Sequence, residues 1–229
     1  MQARTTINPA GRAQRGFLVG VVMALTLVVL GALLIPATSR LSILAAASVL
    51  ILYGVIGWLY PPRLARLDPR ILRLATFFGL CAALVFAGEI VLEYILLPTN
   101  NTLLGYIEFG SVFCLYCLAG VVSARQTQSI RRAILTALSS AMLSALIWLI
   151  VVLATFYLFR GTSQQAQVFR AEGNYEDFAR SGMHDFNAFI LEDFMGAAFF
   201  HLLLGPIIAA ILGTIGGVLG KGLAKHPAR

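Results

Sequence analysis

Six stretches of the sequence, 17–36, 41–60, 74–98, 103–124, 133–159 and 195–220, are each about 20 residues or longer and almost wholly apolar. A membrane-spanning helix needs about that length, because each helical residue rises about 1.5 Å and the hydrocarbon core is about 30 Å thick. Inside that core the backbone has no water to bond to, so uninterrupted runs of this length can only be helices. The expected fold is all-α: one polytopic bundle of six transmembrane helices covering 1–229, with no internal repeat and no linker that would divide it. Composition agrees. With 59% of residues hydrophobic and 12% charged, neither an ordinary soluble domain nor a disordered chain is possible. Three cysteines cannot make a disulfide scaffold.

The boundaries have their own chemistry. Pro61-Pro62, Pro98-Thr99-Asn100-Asn101 and the Arg-rich stretches 63–73 and 125–132 read as helix ends and loops. The first run follows Arg4, Arg12 and Arg15, as in a signal peptide, but it is longer than the about 7–15 apolar residues of a cleaved one, so it is expected to remain as a span.

The net charge of +7 is distributed between apolar runs, which makes it a topology signal and no footprint for nucleic acid. With the N-terminus inside, the inner segments hold Arg4, Arg12, Arg15, Arg63, Arg66, Arg70, Arg73, Arg125, Arg131, Arg132, Lys221, Lys225 and Arg229, 13 of the 17 basic residues. Arg40, Arg160, Arg170 and Arg180 are the 4 left outside. Both termini are therefore expected to be cytoplasmic, in a plasma membrane or bacterial-type inner membrane. The one long connection, 160–194, lies outside. Within it Phe186, Phe189, Ile190 and Phe194 recur at helical spacing among polar residues, which predicts an amphipathic segment at the outer surface.

Three acids fall inside spans: Glu89, Glu93 and Glu108. An ionisable group in hydrocarbon must face the bundle interior or water and find a partner, so each is a candidate functional residue. Counting from Arg73 and Arg125, they lie roughly 24, 30 and 25 Å from the inner boundary, all in the outer quarter. Glu89 and Glu93 share a helix face, and a short loop joins their helix to that of Glu108. Three such carboxylates cannot all be ionised without a cation, a basic side chain or raised pKa values, so the group suits a proton, a metal ion or an organic cation. Tyr94 and Tyr106 are at the same level and offer hydroxyls or ring faces. His201, roughly 30 Å from Lys221, is a further candidate ligand or proton carrier. No cofactor is assigned, and whether a metal binds is left open.

Cys114-Leu115-Tyr116-Cys117, with Tyr106-Ile107-Glu108 before it, resembles the active-site helix of the vitamin K epoxide reductase family over roughly twenty residues. The resemblance implies thiol redox chemistry with a quinone at Cys114 and Cys117. The family's second cysteine pair, in a long loop after the first span, has no counterpart here, where that loop is 37–40. Ser111 and His201 resemble the dyad of the rhomboid proteases, though Phe109-Gly110-Ser111-Val112 departs from that family's Gly-x-Ser-Gly. The overall architecture is similar to the substrate-capturing subunits of vitamin importers. No phosphate-cradling loop is present, so transport would be ion-driven or powered by a partner.

In the last span Gly205, Ala209, Gly213 and Gly217 recur every fourth residue, with Gly216 and Gly220 beside them. Such a stripe lets another helix approach closely, either in the same chain, in a homo-oligomer or in a partner membrane subunit. Three functions follow as expectations: small-solute or cation- and proton-linked transport or binding at the carboxylates; a structural or accessory subunit packing through the glycine-rich helix; and an intramembrane enzyme.

Overall fold

The computed structural model describes residues 9–97 and 102–225, which form α1 (Pro9–Leu34), α2 (Arg40–Leu67), α3 (Pro69–Leu96), α4 (Thr102–Thr127), α5 (Ile130–Leu158), α6 (Ser163–Ala171), α7 (Asn174–Ser181) and α8 (Phe186–Lys225). Arg4, residues 98–101 and Arg229 lie outside the described residues. All the helices except the short α6 and α7 are long and apolar enough to cross a membrane. The protein is an all-α, multi-pass membrane protein. Six crossings bring the start of α1 and the finish of α8 to the same end of the bundle; the opposite end, which carries α6 and α7, is called distal below.

The spans are not equivalent. Of the most apolar stretch of α5, 56% is buried, against 22% for α1, so α5 is the axis of the bundle and α1 lies at its rim. The sequence of α5 explains its place: small residues Ala133, Ala137, Ser140, Ala141, Ser144 and Ala145 let neighbours close in on several sides. Two of its buried hydroxyls are bonded to α4, while that of Ser139 has no hydrogen-bond partner. Ser144 pairs with Tyr116 of α4 at 2.6 Å, and Thr136 donates to Ser123 of α4 at 2.8 Å. At the end bearing the termini, Asp68 caps α3 by accepting from the Arg70 N–H at 2.9 Å, and its other oxygen pairs with Arg132 of α5 at 2.9 Å.

Several boundaries differ from the sequence reading: α1 starts at Pro9 and α3 at Pro69, so the Arg-rich stretch 63–73 is helical on both sides of Asp68, and two further differences have a visible cause. The helix expected to stop at Pro61-Pro62 continues through both prolines to Leu67. Pro62 cannot bond the Trp58 carbonyl one turn back, but Gln14 of α1 supplies the missing donor at 2.7 Å. The second difference is in α8, which begins at Phe186 and runs for 40 residues, about 60 Å. The amphipathic segment is thus its first turns, continuous with the span. Asp185 starts it by accepting from the Ala188 N–H at 3.0 Å. The aromatic stripe of those turns packs under α6 and α7: the rings of Phe186 and Tyr175 stack at 4.5 Å, and Phe186 meets Phe169 and Phe178 edge-on.

The small-residue stripe of α8 is spent inside the chain. A Cβ on Gly213 would sit 2.7 Å from the Ala137 Cβ, and one on Gly217 would sit 3.1 Å from the Ala133 Cβ, both on α5. Gly216 and Gly220 lie against the backbone of α4 at Cys117 and Val121, and Gly120 of α4 faces the backbone of Gly213. Ala209 is fully buried. Gly205 alone of the stripe has open space before it, with nothing within 4 Å.

Candidate functional site

The distal ends of α3 and α4 bring three carboxyl groups together. Glu93 and Glu108 are buried, at 6% and 7% exposure, and Glu89 is half-buried one turn below Glu93. Glu89 lies within electrostatic reach of both. The local sequence accounts for the placement. The i, i+4 spacing sets Glu89 and Glu93 on one face of α3, which ends at Leu97 with a left-handed backbone (φ 47°), and α4 begins at Thr102 and packs against α3.

A fourth carboxylate joins from outside the spans. Glu172, just past the last turn of α6, is within electrostatic reach of Glu89 and Glu93. Desolvation by the surrounding protein, then the charge of Glu93, pushes its carboxyl up to about 8, while a hydrogen bond from Asn174 (2.5 Å) acts the other way. Its side chain still reaches solvent, so water screens part of that effect. Sequence reasoning did not single it out, because 160–194 holds six acids and no spacing marks this one. Gln165, also missed, is the hub that docks α6. It is buried, accepts from the Gly161 N–H and donates to the Phe156 carbonyl, both at 3.0 Å.

The other expected participants separate. Tyr94 is beside the carboxylates, with its ring 4.6 Å from Phe159. Tyr106 points away and is 74% exposed, because it falls on the face of α4 opposite the bundle. His201 is in a different pocket, stacked on Trp148 at 4.1 Å and packed against Phe86 and Phe109, which precede Glu89 and follow Glu108 on the deeper side. That pocket has a volume of about 230 Å³ and opens beside Gly205. Among the described residues, no group of three or more His, Cys, Asp or Glu side chains is arranged to hold a metal ion.

Cys114 and Cys117 are free thiols, the first exposed on the outer face of α4 and the second half-buried where α8 crosses. Ser111 donates to the Ile107 carbonyl of its own helix at 2.6 Å, so its hydroxyl is turned to the backbone. Set against known proteins, the chain matches no family model, no curated sequence and no solved structure.

Proposed function

We propose that this multi-pass membrane protein carries protons, in exchange for or together with a small cation or solute, through the distal carboxyl group of Glu89, Glu93 and Glu108. The single observation that carries the reading is their convergence: three acids from two spans, two of them buried, share one site at the membrane's edge. Carboxyl groups this close share protons more readily than they carry full charge together, and a vacated charge attracts a cation. On the 13 to 4 distribution of basic residues, the termini are cytoplasmic and the site faces outward. Glu172, within electrostatic reach of Glu89 and Glu93, adds a fourth carboxyl from outside the spans.

The test uses proteoliposomes containing the full chain and an internal pH dye, with an inward proton gradient imposed and potassium with valinomycin clamping the membrane potential. The interior should acidify several-fold faster than in protein-free vesicles, and Glu89→Gln should return the rate to the protein-free level while its thermal stability stays intact. Wild-type vesicles no faster than protein-free ones would overturn proton transport.

A further inference from the structure

At the end of the bundle that carries the termini, α1, α2, α3 and α5 enclose a lateral cavity of about 1050 Å³. It exists because the rim helices pair with each other. Phe17 of α1 lies over Gly57 of α2, whereas α3 is drawn to the axis, with Gly79 against the Ser140 carbonyl of α5. The two pairs therefore diverge and leave a cleft. It opens sideways past Phe77 and Leu80, 59% and 51% exposed, so its mouth faces lipid.

The cleft runs from Ala10 to Gly20 along α1 and from Pro69 to Leu80 along α3. Those lengths correspond to roughly 15 and 17 Å, about the 15 Å that one leaflet contributes to the hydrocarbon core. Its charged lining among the described residues is Arg12 and Arg73, both in the half nearer the chain termini. Gly16 leaves the middle of the cleft open, with nothing within 4 Å of its Cβ position.

We propose that this cleft binds one anionic phospholipid, with its phosphate between Arg12 and Arg73 and an acyl chain lying along Gly16 and Gly20. The apolar wall holds any lipid tail about equally, since tails are as apolar as the leucines they displace. Discrimination therefore resides in the two guanidiniums, which pair with phosphate through fixed donor geometry. The same end is the one the basic residues assign to the cytoplasm, where the leaflet is anionic.

Native mass spectrometry of the full chain in detergent, titrated with phosphatidylglycerol or with phosphatidylcholine of the same chains, tests this. One phosphatidylglycerol should bind in clear preference, and the double variant Arg12→Gln/Arg73→Gln should weaken it about thirtyfold, the effect of two charges near a membrane surface. Gly16→Phe, which fills the cleft without a clash, should block the lipid. Gly110→Phe, equally unhindered on α4, should leave binding unchanged. Equal binding of the two lipids overturns the assignment of the headgroup site. Retention of phosphatidylglycerol by Gly16→Phe at wild-type affinity overturns the cleft as its location, whatever the arginine variant does.

Discussion

The phenolic hydroxyl of Tyr53 on α2 donates a 2.7 Å hydrogen bond to the backbone carbonyl of Leu202 on α8. Leu202 is four residues before Pro206, so its carbonyl is the one that Pro206, lacking an N–H, cannot satisfy. In hydrocarbon such an orphan is costly, and a buried hydroxyl from a neighbouring helix removes the cost. Gln14 and the Trp58 carbonyl repeat the device one turn before Pro62. Each proline therefore becomes a point where one helix is tied to a specific partner.

Tyr53→Phe should lower stability in detergent by about 0.5–1.5 kcal/mol, the net worth of one hydrogen bond. In a Pro206→Ala background the helix can satisfy Leu202 itself, and the same substitution should cost much less. Thermal unfolding of the four proteins of this cycle checks it; an equal cost in both backgrounds would show that the tyrosine acts through packing alone.

Gly213→Leu should destabilise by about 1–3 kcal/mol or more, because its side chain would enter the contact with Ala137. Gly205→Leu, with open space before it, should be near neutral. Both variants should keep the wild-type oligomeric state, measured by light scattering corrected for detergent, since the crowded part of the stripe faces inward. A Gly213→Leu protein with unchanged melting temperature would contradict the helix contact.

The raised carboxyl of Glu172 makes stability depend on pH. Between its ordinary value near 4.5 and about 8 the folded protein holds a proton that the unfolded chain has released, so stability should fall as pH rises across that window and level off above it. Glu172→Gln should flatten the slope between pH 5 and 8 in a series of thermal melts. A slope unchanged by the substitution would place the titration elsewhere.

Topology is checked by labelling. With Cys81, Cys114 and Cys117 replaced by Ala, a cysteine at the exposed Gln164 should react with a membrane-impermeant maleimide added to intact cells. Reaction only after the membrane is opened would invert the orientation drawn from the basic residues.

Much of the fold was legible in the residues alone, for a specific reason. The number of spans and their approximate limits follow from apolar length, because a bilayer enforces backbone satisfaction within each segment whatever the neighbours do. The depth of Glu89, Glu93 and Glu108 follows from the same count, since helical rise is constant. Which faces meet does not follow. In lipid an outward Leu is as comfortable as an inward one, so the spans are apolar all round and carry no periodic signal of their facing. Tyr106 and Tyr94 have the same depth and composition cues, yet one faces away and the other lies beside the site. Continuation through Pro61-Pro62 depended on Gln14, 44 residues from its acceptor. Glu172 entered the carboxyl group only because Gln165 and the aromatic stripe of α8 dock α6 over the distal end. Length and charge determined where the chain crosses; side-chain contacts between helices far apart in sequence decided what those crossings bring together.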